Sequence, residues 1–473
     1  MVETGSLVQV EECRTFGRAE IDRIHAEIQQ VYKSDQKPWV IGYSGGKDST
    51  TALQLVWSAL SALPADQLKK PIYVISSDTL VETPKIIEYI DESLERMNRA
   101  AKAQGIPLSA EKVKPEINHT FWVNLIGRGY PVPSTQFRWC TERLKINPAN
   151  SFILDKVAKH GEVVVVLGVR KSESATRAQV MSLHRIAGTS LSRHSTLPNA
   201  YVYTPIEDFS VNDVWTYLLQ APSPWGNNNR DLVTLYRNAQ AGECPLVVDK
   251  QTSSCGNSRF GCWVCTVVNQ DSSMEALVDN GEVWLEPFLE FRNYLATLQN
   301  QALWPQIRKR KRRNGRVIVK DGVAQPWGPY TIAMRRHLLR KLLEVQRAIG
   351  AAGTNENGTL INKRELELIR NIWRTEENDW ADSVPEIYAE VMGTNLDWVR
   401  YESPTFCAAD LELLESVSVH HGLPAAMVAK LLECERKLNS YMKRSAIQRQ
   451  LASIIEEDWS SEHIDNPMSK VSE

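Results

Sequence analysis

The chain lacks any uninterrupted apolar run of about 18 residues, the length a membrane-spanning helix needs. Its opening, MVETGSLVQVEECR, has no basic stretch followed by an apolar one, so nothing reads as a secretory leader. The expectation is a cytoplasmic protein with no membrane partner. Charge of one sign is lacking too. Its 55 Lys and Arg against 57 Asp and Glu leave a formal charge of -2, so any nucleic-acid surface must be a local patch. No internal repeat stands out. Cysteine is sparse, eight in 473 residues, and a reducing compartment argues against a disulfide framework; the cysteines point instead to metal or sulfur chemistry.

What is present is ordinary for a globular chain: 42% hydrophobic and 24% charged residues argue against global disorder. At 473 residues the chain exceeds one usual domain. Residues 15–33 have helical spacing, and Pro38 to Tyr43 reads as a buried strand entering a glycine turn, with a helix from Ser49. Ile72 to Ser76 and Val163 to Leu167 read as further strands, with a long helix after Thr83; Tyr201 to Thr204 reads as another. Val211 to Leu219 reads as a helix capped by Ser210 or Asn212. Strands alternating with helices predict an α/β fold with a doubly wound parallel sheet. The expected organisation is a sheet domain over 1–222, a cysteine-rich segment over 223–280, and a mainly α region over 281–473, with 331–348, 408–421 and 423–446 at helical spacing.

Ser44-Gly45-Gly46-Lys47-Asp48-Ser49 lies between a strand and a helix, where backbone N–H groups and a helix N-terminus can hold an anion. Lys47 adds positive charge, and Ser44 and Ser49 can donate to phosphate oxygens. The spacing is not G-x-x-x-x-G-K-[ST], so β,γ-hydrolysis of the P-loop kind loses support. The motif resembles the pyrophosphate-binding loop of the PP-loop (adenine nucleotide alpha hydrolase-like) enzymes, which cleave ATP between its α and β phosphates. Three later segments resemble the PAPS-reductase-like branch of that family. They are Ser77-Asp78-Thr79 with Glu82-Thr83-Pro84; Gly168 through Ser174 with Arg177; and Pro205 through Phe209 leading into Asp213-Val214-Trp215. The resemblance implies ATP held by Ser44, Gly45, Gly46, Lys47, Asp48, Ser49, Asp78, Gly168 and Arg170, with Mg²⁺, and catalytic roles for Lys47, Asp48, Arg170 and Arg177. The residues agree: Asp78 ends the second strand, where α/β sheets bind ligands, and the two arginines follow the 163–167 strand, where they can clamp phosphate oxygens.

Cys255, Cys262 and Cys265 cluster in one segment, with Cys140 far upstream. A C-x₂-C pair plus two further thiolates suits zinc or a [4Fe–4S] cluster, and spacing alone does not choose. Cys244 is either an alternate ligand or a persulfide carrier. Cys13, Cys407 and Cys434 read as plain apolar residues, and His420-His421 as a polar helix face. In related PP-loop proteins such a cluster lies beside the nucleotide. The segment from Cys244 to Val268 closely resembles the DndC family, the sulfur-transfer components of DNA phosphorothioate modification.

Arg308-Lys309-Arg310-Lys311-Arg312-Arg313 places six positive charges in a row, with Arg316 and Lys320 behind. Such a run repels itself unless a polyanion is near, which makes it the candidate DNA contact. Trp304, Trp327 and Tyr330 are candidates for base stacking, and Arg335, Arg336, Arg340 and Lys341 for extending the positive surface. The resemblance implies replacement of a non-bridging phosphate oxygen of DNA by sulfur, with ATP activating that oxygen, a cysteine desulfurase as donor, and other pathway components, a large ATPase among them, as partners. Alternatives are a sulfonucleotide reductase, which needs a Glu-Cys-Gly-type tail not found here, a tRNA-thiolating enzyme, and a nucleic-acid-binding scaffold.

Overall fold

The computed structural model describes residues 17–173, 175–239, 261–313, 315–317, 319–320, 323–324, 327–351, 359–399, 406–438, 444–457 and 459. Strands β1 (Trp39–Gly42), β2 (Ile72–Ser77), β3 (Leu108–Val113), β4 (Val163–Val166), β5 (Leu191–Arg193) and β6 (Ala200–Tyr203) form one sheet in the order β3-β2-β1-β4-β6-β5. Every pairing is parallel except β5 with β6. The chain runs outward from β1 to β3 and returns to β4 beside β1, so a topological switch point lies at the C-terminal ends of β1 and β4, where doubly wound sheets bind ligands.

β1 and β4 are buried at every position because helices cover both faces. Trp39, Ile41, Val164 and Val166 share a core with α1 (Arg18–Lys33), α2 (Lys47–Ser61) and α3 (Pro84–Gln104). Their neighbours Val40, Val163 and Val165 point the other way, onto Ala149 and Ile153. Those two belong to a helical run made of the short α4 (Trp139–Thr141), a π turn over Glu142–Ile146, and α5 (Asn147–His160). α6 (Ala175–Leu183) follows β4, and α7 (Val211–Gln220) opens with a capping box in which Ser210 accepts from the Asp213 N–H and Asp213 from the Ser210 N–H. α8 (Asn229–Ala239) comes next.

The remainder is helical, as the spacing predicts: α9 (Ser272–Asp279), α10 (Glu286–Thr297), α11 (Trp304–Ile307), α12 (Ile332–Ala351), α13 (Lys363–Glu376), α14 (Ser383–Met392), α15 (Ala408–His421), α16 (Ala425–Leu438) and α17 (Arg444–Ile455). A ribbon of β7 (Val319–Lys320) and β8 (Val323–Ala324) interrupts them. No described helix is long and apolar enough to cross a membrane.

The helical core does not respect the linear boundary near residue 222. Phe121, Trp122, Leu125 and Trp139, inside the expected sheet domain, pack with Trp263, Phe288, Leu338 and Trp373. Trp122 Nε1 donates to the Leu360 carbonyl at 2.8 Å and Trp373 Nε1 to that of Ile126 at 3.0 Å. A loop between β3 and β4 therefore belongs to the second core, and it carries Cys140 into it.

Candidate functional site

β1 delivers the Ser44–Ser49 loop to the switch point. Gly45 sits at φ +72, and a β-carbon there would lie 2.5 Å from Ile90 Cδ1. Ser49 Oγ lies 3.0 Å from Ser44 Oγ and donates to the Gly46 carbonyl, which closes the loop on the first turn of α2. At the end of β4, Gly168 packs on the same turn: a β-carbon there would stand 2.5 Å from the Asp48 carbonyl oxygen, so only glycine lets these backbones meet.

Lys47, Asp48 and Arg170 form one buried charge network. Asp48 accepts from Lys47 Nζ at 2.8 Å on one oxygen and from Arg170 Nε at 2.6 Å on the other. Arg170 is 1% exposed and also donates to Ser172 Oγ at 3.0 Å. Asp48 thus positions both cations beside the loop. Arg177 lies on α6, but its side chain falls outside the described residues.

Asp78 is buried at the end of β2. One of its oxygens accepts from the Leu80 N–H at 3.0 Å and holds that residue at φ 64; the other faces Lys112 Nζ at 3.4 Å and Lys114 Nζ at 3.6 Å. Next to it, Thr79 Oγ1 lies 3.2 Å from Cys262 Sγ. Backbone bonds reinforce the join: Trp263 N–H to the Val81 carbonyl, Thr83 N–H to the Gly261 carbonyl, and a bridge pairing Glu82 with Cys262.

Cys265 lies near enough to Cys140 and to Cys262 to act on both thiols. Burial and the neighbouring Cys265 push the Cys140 thiol up to about 11. Burial pushes Cys262 to about 12, with Lys145 opposing and Glu82 and Cys265 adding to it. Buried thiolates are costly unless something compensates them, and a metal centre is one such compensation, so this thiol set suits a thiolate-ligated cluster. Cys244 and Cys255 lie outside the described residues, and among those described no group of three His, Cys, Asp or Glu side chains converges at metal-ligand distances. Cys407 starts α15, and Cys434 Sγ lies 3.8 Å from Gln450 Oε1.

The basic run divides. Arg308 is buried and donates to the carbonyls of Gly328 and Trp327, while Lys309 pairs with Glu377 at 2.6 Å and Lys311 with Glu457 at 3.2 Å. Arg310, Arg312 and Arg313 are exposed. Tyr330, expected to stack on bases, is wholly buried, and its hydroxyl accepts from the Val132 N–H. Arg335 is buried against Glu377, Arg336 pairs with Asp379 and Arg340 with Glu390, so the positive surface expected along α12 is largely neutralised by the protein's own carboxylates.

One site residue, Tyr236, was not visible from motifs, and a second, Glu82, lies within a motif that gave it no role. Tyr236 on α8 accepts from the Lys47 N–H at 3.2 Å, and its ring lies 5.5 Å below Lys47 Nζ. Glu82 is half-buried beside Cys262, and desolvation pushes its carboxyl up, with Lys145 opposing. The helical spacing of residues 229–239 was the one available signal for Tyr236.

Residues 38–268 match the phosphoadenosine phosphosulfate reductase domain family. That stretch resembles a phosphoadenosine phosphosulfate reductase domain and holds the Ser44–Ser49 loop, Arg170, Cys140, Cys262 and Cys265. An uncharacterized protein of Methanocaldococcus jannaschii is 24% identical over 290 residues, which are 60% of this chain and 49% of that protein. The chain thus spans about half the length of the curated relative it matches. Two solved structures show slight overall similarity. Candida glabrata FMN adenylyltransferase with FAD and inorganic pyrophosphate has a TM-score of 0.25 at 14% identity, over 42% of this chain and 57% of that one. The U34-tRNA thiolase NcsA of Methanococcus maripaludis with its [4Fe-4S] cluster has a TM-score of 0.28 at 11% identity, over 60% and 80%.

Proposed function

We propose that this protein is an ATP-dependent sulfurtransferase that places sulfur in the DNA backbone. One observation carries the reading: the strand end bearing Asp78 and Thr79 touches the cysteine segment directly, at Thr79 Oγ1 to Cys262 Sγ, so a nucleotide site and a thiol site adjoin within a PAPS reductase-like domain. In the proposed reaction a non-bridging oxygen of a DNA phosphodiester attacks the α phosphorus of ATP, a P–O bond forms, and Mg-pyrophosphate leaves. Hydrosulfide then attacks the activated DNA phosphorus; a P–S bond forms, the P–O bond to AMP breaks, and a proton is released. If the sulfur comes as a protein persulfide from a cysteine desulfurase, a thiol must also reduce the S–S bond.

Within this scheme the Ser44–Ser49 loop and Lys47 bind the pyrophosphate portion, and Asp48 keeps Lys47 and Arg170 aimed at it, ready to stabilise developing charge. Cys140, Cys262 and Cys265, with Cys255 or Cys244, would hold a [4Fe–4S] cluster, which would supply a sulfur-binding or geometry-fixing centre. A separate ATPase is the expected partner for strand handling.

The test supplies ATP, Mg²⁺, sulfide and DNA to anaerobically purified protein, digests the DNA, and looks for phosphorothioate-linked dinucleotides by mass spectrometry, together with AMP and pyrophosphate. Products that vanish in Lys47→Ala support the reading. AMP formation without DNA sulfur, or reduction of adenylyl sulfate instead, would replace it with another PP-loop activity.

A further inference from the structure

The exposed half of the basic run does not lie on a flat face. Arg312 and Arg313, with Arg308, line a cavity of about 680 Å³ whose other walls include Tyr130, Phe137, Trp304 and Trp327, and among its described lining residues none is acidic. That volume falls in the range of small-ligand sites. Phe137 is 45% exposed although it is a large aromatic side chain, and its ring is stacked on Tyr130 at 6.4 Å between centroids. Arg308 uses its guanidinium on the carbonyls of Trp327 and Gly328 and lies 4.7 Å over the Trp304 ring, so it positions the two tryptophans. Arg313 reaches the Tyr130 hydroxyl at 3.3 Å.

The cavity is joined to the cysteines by short covalent and hydrogen-bonded paths. The segment that forms one wall runs directly from Phe137 to Cys140, and Trp139 Nε1 donates back to the Pro131 carbonyl at 2.9 Å. Thr266, next to Cys265, donates through Oγ1 to the Pro133 carbonyl at 2.6 Å, and Gln299 bridges Pro133 and Thr266 through their carbonyls.

We infer that this cavity holds an unpaired nucleotide of the acceptor DNA strand, its base among Phe137, Tyr130, Trp304 and Trp327 and its flanking phosphates on Arg312 and Arg313. The inference rests on the DNA reading above. Aromatic faces recessed in a cavity reach a base only once it has left its pair, and stacking on them tolerates any sequence. Arg312 and Arg313 are exposed, Arg313 with Glu376 at 3.6 Å as a carboxylate neighbour, and their guanidinium groups match the strand's phosphates. The joined wall then sets the adjacent phosphodiester towards the cysteine segment.

The test uses the full chain and a fluorescent single-stranded oligodeoxynucleotide, the matching duplex, and single-stranded RNA of the same sequence, read by anisotropy across a salt series. The expected result is tighter binding of single-stranded DNA than of duplex, weakened roughly 5- to 150-fold by Phe137→Ala. Arg312→Ala lowers the salt slope by about one. Both side chains are surface-exposed, so the variants keep the fold. If the wild-type chain binds DNA but both variants match it, the cavity assignment is wrong and the proposed function stands. If the wild-type chain binds no DNA, or RNA alone, the DNA acceptor reading falls and the assignment falls with it.

Discussion

Thr79 Oγ1 and Cys262 Sγ lie 3.2 Å apart although 183 positions separate them in the chain. Thr79 follows the strand that supplies Asp78, and Cys262 begins the C-x₂-C pair, so this contact is where the nucleotide end of the sheet meets the thiols. Cys262→Ala should therefore remove a ligand of the cluster proposed above. Anaerobically purified wild-type protein is expected to hold about four iron and four acid-labile sulfide per chain. The variant should hold far less, by colorimetric iron and sulfide assay. About one zinc and no sulfide in the wild type would count against a cluster.

Asp48 is the hinge of the charge network, since its two carboxylate oxygens accept from Lys47 and from Arg170. Asp48→Ala would take the nearer of two carboxylates from a buried guanidinium and leave it Glu173 at 3.9 Å, so the cost should fall below the roughly 3–5 kcal/mol of a lost sole counter-charge. Urea unfolding should show the lower midpoint, and ATP cleavage should be lost. Asp48→Asn keeps the shape and one acceptor, so it should recover part of the stability but little of the activity.

Tyr236 occupies a backbone donor that a phosphate oxygen would use, the Lys47 N–H. Removing the hydroxyl removes a competitor. Tyr236→Phe is expected to strengthen pyrophosphate binding by roughly 2- to 10-fold, the worth of one neutral hydrogen bond, by titration calorimetry. Weaker binding would instead mean that the hydroxyl helps hold the anion.

Glu377 ties the basic run to α12, accepting from Lys309 at 2.6 Å and Arg335 at 2.8 Å. Burial works against its charge, but these two cations outweigh it and bring the carboxyl from 4.5 down to about 2. A depressed carboxylate stabilises the fold above its unfolded value, and that stability is lost as pH falls from about 4.5 through about 2. The contribution is on the order of 3 kcal/mol. Glu377→Gln should flatten the acid limb of stability against pH, measured by thermal unfolding between pH 7 and 3, and should lower stability at neutral pH.

Much of the sheet half was legible in the chain because its signals are local. An apolar strand running into two glycines, a lysine and a helix reads as strand–loop–helix from its neighbours alone, and four short strands alternating with helices predict the parallel sheet. Strands β3 and β5 escaped because they lie at the edges of the sheet: Leu108–Val113 buries only Ala110 and Val113, and Leu191–Arg193 is three residues long, so neither shows an apolar run. Asn229 reads as loop, yet it is buried in bonds to Gln54, Leu218 and Ala221 and opens α8.

The sequence by itself determined the sheet class and the strand–loop–helix turn at Ser44–Ser49, since each depends on neighbours a few residues apart. Only the tertiary structure decided that Asp48 binds Lys47 and Arg170, that Tyr236 covers the loop, that 121–144 crosses into the helical core, and that the basic run splits into inward and outward halves. Those outcomes depend on which carboxylate or carbonyl lies across a packed interface. Lys309 meets Glu377, and Arg308 meets Trp327, across a core that α12 and α13 share.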